Sequence, residues 1–103
     1  MSASETTLVC DIEVTNRAGV HTRVALMIFK KMESFSASAS ITNKKTGQTA
    51  DCRSVLELLS LGAACGDTVA LSVTGSDAEI LQNEMLTLFE HNFYEDEAEE
   101  TKS

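Results

Sequence analysis

The chain has 103 residues, 43% of them hydrophobic, and a net charge of −8, which suits one domain with a single core and argues against nucleic acid as a partner. No apolar run approaches a membrane span, and residues 1–7 lack the basic and apolar regions of a secretory signal, so a cytoplasmic protein off the membrane is expected. Its three cysteines, Cys10, Cys52 and Cys65, are odd in number and have no C-x-x-C spacing; they support neither a disulfide framework nor a metal site and are expected as buried or half-buried free thiols.

Residues 1–6 are expected to be a flexible N-terminus. Residues 8–14 alternate apolar and polar in their second half and predict a half-exposed strand. A Gly-containing turn at Gly19 follows, and then Val24, Ala25, Ile28, Phe29 and Met32 recur at helical spacing, so residues 22–33 predict a helix with one buried stripe. Arg23, Met27, Lys30 and Lys31 lie off that stripe. Residues 37–43 and 49–53 flank Lys44-Lys45-Thr46-Gly47-Gln48 and predict a hairpin. Ser54-x-x-Glu57 has the form of a capping box and opens a short apolar helix that ends at Gly62. Residues 67–74 alternate Val69, Leu71 and Val73 with polar or small neighbours, the clearest strand in the chain. Ser76-x-x-Glu79 is a second capping box, opening a last helix with its stripe at Leu81, Met85, Leu88 and Phe89. His91 is expected to face solvent or sit at that helix's C-terminus. Residues 94–103, acidic and nearly without apolar side chains, are expected to form a disordered tail.

The order is β-α-β-β-α-β-α. Such a chain buries its apolar faces as an α+β open-faced two-layer sandwich, a four-stranded antiparallel sheet with three helices on one face.

His21 stands at the start of the first helix, with Arg23 two residues on. A helix N-terminus offers unpaired N–H groups and the positive end of the dipole, so a phosphoryl group there meets donors already in place. A neutral imidazole can carry that group, and an arginine fork can pair with its oxygens. The competing reading is a polar loop histidine that happens to precede a helix. Arg23 in a first helical turn is disfavoured by the dipole, which suggests use. Asn16 either fixes the turn through its side chain or contacts phosphate. The charge is uneven: residues 1–53 hold seven Lys/Arg against five Asp/Glu, and residues 54–103 one against eleven. Arg17, Arg23, Lys30, Lys31 and Arg53 are therefore expected to make a positive face around His21 that steers acidic partners. Val55, Leu56, Leu58 and Leu59 exceed what one stripe of a short helix needs, so some must face out toward a partner.

Gly19-Val20-His21-Thr22-Arg23-Val24-Ala25 resembles the active-site signature G-[LI]-H-[AT]-R-P-A of the histidine-containing phosphocarrier proteins (HPr) of the bacterial sugar phosphotransferase system. Arg53-Ser54-Val55-Leu56-Glu57-Leu58-Leu59-Ser60-Leu61-Gly62 resembles the same family's segment around a regulatory serine. The likeness continues through Gly66-Asp67-Thr68-Val69, Gly75 and Asp77-Ala78 and covers roughly residues 7–93. It implies the open-faced sandwich, a phosphoryl group accepted on His21 from an enzyme I-like protein and passed to an enzyme IIA-like acceptor, and phosphate held by Thr22, Arg23 and Arg17. It also implies a docking face of Val55, Leu56, Leu58, Leu59, Met27 and Lys30 and, in lineages with the matching serine kinase/phosphorylase, phosphorylation of Ser54, which as a helix N-cap needs no such role. A monomeric carrier with no cofactor and no metal, rather than a turnover enzyme, is expected. Val24 replaces the family's proline and Glu57 its common glycine. These departures and the acidic tail leave room for an alternative, an HPr-like regulatory binding module of a nitrogen-related or catabolite-control branch, with His21 or Ser54 phosphorylation as a switch.

Overall fold

Val69, Leu71 and Val73 point to one face of their strand and are all fully buried, as strict alternation requires of a strand with one face in the core. That strand is central. In the computed structural model, which describes residues 6–94, the elements are β1 (Thr6–Glu13), α1 (Thr22–Met32), β2 (Ser38–Asn43), β3 (Thr49–Asp51), α2 (Val55–Leu59), β4 (Thr68–Gly75), α3 (Ala78–Glu90) and a 3-10 turn (Asn92–Tyr94). The sheet is antiparallel in the order β1-β4-β2-β3. Its register sets Ile12 opposite Val69, Leu8 and Ala39 opposite Val73, and Ile41 opposite Leu71.

On that inner face lie Val24, Ala25, Ile28 and Met32 of α1, Leu58 of α2, and Ala78, Leu81, Met85, Leu88 and Phe89 of α3. Each large side chain among them contributes about 1.5–3 kcal/mol by leaving water. The outer face of the sheet is mostly polar, with Thr7, Asp11, Glu13 and Ser38 exposed, and also carries Val9, 65% exposed. The α+β open-faced sandwich is therefore the fold. Among the described residues no helix is long and apolar enough to cross a membrane.

Several local expectations change. Phe29 is only half-buried, because it lies at the edge of the arc shared by Val24, Ile28 and Met32; Met27, expected off the stripe, packs against the core from the other side. Arg53 is not part of a positive face around His21. Its guanidinium donates to the carbonyls of Met32 (3.1 Å), Phe35 (2.8 Å) and Ala37 (3.0 Å), satisfying acceptors at the C-terminal end of α1, about 16 Å along the helix from His21. Lys31 pairs with Glu84.

Only half of the first capping box forms. Ser54 Oγ accepts from the Glu57 N–H at 3.2 Å, but the Glu57 carboxylate accepts from the Asp51 N–H at 2.8 Å, while the Ser54 N–H donates to the Asp51 carbonyl. The second box does not form, since α3 starts at Ala78 with Asp77 at the cap position. The Asp77 carboxylate instead accepts the N–H groups of Ser36 and Ala37, each at 2.9 Å.

Thr6 pairs with Gly75, and Tyr94 is half-buried with its N–H donating to the His91 carbonyl. Asn92, Phe93 and Tyr94 all have positive φ (54°, 52° and 60°), a left-handed turn that buries Phe93 completely, edge-on to Phe89 at 4.9 Å. His91 caps α3, is exposed, and stacks on Tyr94 at 5.2 Å. The remaining residues expected as flexible N-terminus and acidic tail lie outside the described residues.

Candidate functional site

The site begins where β1 ends. Val14, fully buried, donates its N–H to the Asp67 carbonyl at 2.8 Å and accepts from the Gly66 N–H at 2.7 Å. The Thr15 hydroxyl donates to Asn92 Oδ1. Asn16 is buried, and its side-chain amide donates to the Gly19 carbonyl at 2.6 Å while the Gly19 N–H returns to the Asn16 carbonyl at 3.1 Å. Arg17 and Ala18 are thereby held at the exposed corner of a turn closed from both sides. Asn16 thus has a structural role in the turn, donating through its side-chain amide.

Gly19 is required twice. Its φ of +69° is left-handed, and a Cβ there would sit 2.5 Å from the Ala63 carbonyl oxygen. The next residue, Val20, donates its N–H to that carbonyl at 2.9 Å. Five anchor points, at Val14, Thr15, Asn16, Gly19 and Val20, hold the backbone in front of His21.

His21 is half-exposed, in extended conformation at the N-cap of α1, and makes no side-chain cap bond. The first bond of the helix runs from the Ala25 N–H to the His21 carbonyl at 2.9 Å, so the N–H groups of Thr22, Arg23 and Val24 have no intrahelical acceptor. No acidic side chain lies in this first turn, and Arg23 and Thr22 are exposed there. The positive end of the dipole is accordingly uncompensated by that turn. Val24 is fully buried and, unlike the proline of the family pattern, keeps its N–H.

The expected docking residues divide. Leu56 is 80% exposed and Leu59 37%, with Val55 half-buried beside the core. Leu58 is fully buried and is removed from the docking face: in a helix of five residues it supplies the inward side chain. Met27 and Lys30 line a shallow depression with Lys31, Ser34 and Leu88. Leu26, not foreseen as a surface residue, is 46% exposed on α1; its position outside the 24-25-28-32 stripe was the available signal.

Ser54 follows Arg53, whose guanidinium is engaged by three carbonyls; the Asp51 carboxylate accepts from the Arg53 N–H at 2.9 Å, and the Glu57 carboxylate from the Asp51 N–H. Cys65, expected buried or half-buried, is exposed, with Sγ 3.7 Å from the Thr15 carbonyl. Burial, assisted by Asp51, pushes the Cys52 thiol up to about 12, and burial raises that of Cys10 as well. Among the described residues no three His, Cys, Asp or Glu side chains gather as a metal site.

A glycine turn that delivers a histidine to the open start of a helix, on an open-faced sandwich, defines a phosphocarrier-like domain. Residues 9–91 match the family model described as the PTS HPr component phosphorylation site, and the chain belongs to that HPr family. It is 34% identical over 85 residues to the phosphocarrier protein NPr of Escherichia coli (strain K12), covering 82% of this chain and 93% of that one. It is 26% identical over 86 residues to the phosphocarrier protein HPr of Xylella fastidiosa (strain Temecula1 / ATCC 700964), covering 84% and 94%. Among solved structures, the HPr-C-His of Thermoanaerobacter tengcongensis superposes with a TM-score of 0.78 at 27% identity, covering 85% of this chain and 97% of that one.

Proposed function

We propose that this protein is a cytoplasmic phosphocarrier whose phosphoacceptor is His21, taking a phosphoryl group from a phosphohistidine of an enzyme I-like donor and passing it to an enzyme IIA-like acceptor. The observation that carries the reading is the placement of His21 as N-cap of α1 on a backbone fastened at five points. In the transfer a nitrogen lone pair of the His21 ring forms the new N–P bond as the donor's N–P bond breaks. Its electron pair returns to the donor ring, which takes up a proton while the His21 ring gives one up. The onward step reverses these roles.

Such a step asks little covalent work of the protein beyond positioning and charge stabilisation. The N–H groups of Thr22, Arg23 and Val24 and the guanidinium of Arg23 supply donors to the phosphoryl oxygens, with Arg17 at the facing turn. Leu56, Leu59 and Val55 are the apolar part of the docking surface. Incubation with phosphoenolpyruvate and enzyme I tests the reading: an acid-labile, alkali-stable phosphate on the protein supports it, and no incorporation refutes it.

A second reading, service in a nitrogen-related regulatory branch, is supported by the 34% identity to the Escherichia coli NPr. Faster transfer to an acceptor of that branch than to a sugar-specific one selects it. A kinase-dependent phosphate on Ser54 would meet the negative charge of Glu57, whose N–H the Ser54 hydroxyl accepts.

A further inference from the structure

The N–H groups left open at the start of α1 are not equivalent. Thr22 and Arg23 are exposed, so theirs are open to water. Val24 is fully buried, and among the described residues no carbonyl or side chain accepts from its N–H. The His21 carbonyl accepts from Ala25 at 2.9 Å instead, and the His21 side chain makes no cap bond. A backbone donor shut off from water and left unpaired is rare in folded proteins and destabilises them. It calls for an acceptor that the unmodified chain does not supply. Its position says where that acceptor comes from: Val24 is the third residue of α1, and the N–H at that position faces the side chain of the N-cap residue, here His21.

We infer that the Val24 N–H is held for a phosphoryl oxygen on His21, so that phosphorylation supplies the side-chain cap that α1 lacks and the fold itself favours the phosphorylated state. A phosphoryl group adds strong anionic acceptors to the N-cap side chain, beside the positive end of the dipole. The first turn holds no acidic residue to compete with it. The device belongs to this chain rather than to the family pattern, whose proline at the same place has no N–H to give. It rests on the phosphocarrier reading and leaves the covalent step as it is. The His21 N–P bond forms as the donor's breaks, the electron pair of the broken bond goes to the donor ring, and that ring gains a proton as the His21 ring loses one. What Val24 alters is the balance between the two ends of the step. Its bond exists only after transfer, so it draws the equilibrium toward the phosphorylated carrier, and by linkage phosphorylation stabilises the fold.

The test follows the full chain by NMR before and after phosphorylation with phosphoenolpyruvate and enzyme I. On phosphorylation the Val24 amide proton moves downfield, its exchange with solvent slows, and its nitrogen couples to phosphorus across the new hydrogen bond. The Ala25 amide, already bonded to the His21 carbonyl, moves less. Val24→Pro then removes the N–H without removing a hydrogen bond from the unphosphorylated fold, in a first turn where proline is tolerated. A hydrogen bond to a charged group corresponds to about ten-fold or more in an equilibrium constant, so phosphoryl exchange between enzyme I and Val24→Pro lies about ten-fold further toward the donor. The urea midpoint, read at alkaline pH where phosphohistidine persists, rises more on phosphorylation for the wild type than for Val24→Pro. An unmoved Val24 amide in a protein phosphorylated on His21, or an unchanged exchange equilibrium in a folded Val24→Pro, overturns the inference and leaves the carrier reading standing. If Val24→Pro does not fold, the wild-type spectra decide. A wild type that takes up no phosphate overturns both.

Discussion

The Val20 N–H donates to the Ala63 carbonyl at 2.9 Å, so the residue before His21 hangs on the segment that follows α2. The two motifs of the sequence, one around His21 and one running from Arg53 to Gly62, are thereby one structural unit. Gly19 stands against the same carbonyl.

Gly19→Ala should consequently damage both stability and transfer. The left-handed backbone costs about 1–2 kcal/mol for a residue with a Cβ, and the contact with Ala63 forces the loop or its neighbour to move. A lower Tm and slower phosphorylation of His21 are expected together in thermal and kinetic assays. Wild-type values in both would mean that the loop is not held as described.

Asn43, at the end of β2, holds the same segment after α2. Its side-chain amide donates to the Leu61 carbonyl and its Oδ1 accepts from the Lys45 N–H, each at 3.0 Å, in a fully buried position. Asn43→Ala leaves buried backbone groups unpaired, and urea denaturation should register a loss of about 2–4 kcal/mol. A loss within about 0.5 kcal/mol, usual for a surface site, contradicts this placement.

These two positions mark what was legible in the sequence. Alternation in residues 67–74 and the 24-25-28-32 stripe are local, so β4 and α1 could be read directly, and the glycine turn with His21 and Arg23 carried the site. Asn43 could not be read, because its partner is a carbonyl 18 residues away. Arg53 misled for the same reason: its charge was visible, its three carbonyl acceptors were not. Leu58 was assigned outward because a five-residue helix is too short for its stripe to show. Ser76-x-x-Glu79 had the form of a cap, but Asp77 is recruited by the N–H groups of Ser36 and Ala37, 41 and 40 residues earlier. Phe93 was passed over because a left-handed run at Asn92, Phe93 and Tyr94 has no signature beyond the asparagine.

The leucines of α2 separate packing from docking. Leu58→Ala should destabilise the fold by about 2–5 kcal/mol, as core truncations do. Leu56→Ala should leave stability within about 0.5 kcal/mol and weaken binding to an enzyme I-like partner. Calorimetry of both variants with partner titration checks the pair. A stable Leu58→Ala protein would move that residue back to the surface.

Acid should loosen two connections. The Asp67 carboxyl is held below its ordinary value, first by the Ala64 N–H and further by Lys45, and that of Asp77 first by the Ser36 N–H, then by Ala37. With folded values below the unfolded 3.8, the unfolded chain binds more protons, so stability rises with pH through this window. The contribution is present above 3.8 and lost as pH falls through the depressed folded values. Asp77→Asn should flatten the acid limb of a stability-versus-pH curve, and an unchanged limb would remove Asp77 as a source.

The most direct test of the central claim is to locate the phosphate. The wild-type protein, His21→Ala and His91→Ala are incubated with phosphoenolpyruvate and enzyme I, and acid-labile phosphate is measured on each, with circular dichroism to verify folding. Incorporation by the wild type and His91→Ala, and none by a folded His21→Ala, is the predicted result; undiminished phosphate on His21→Ala would contradict the account.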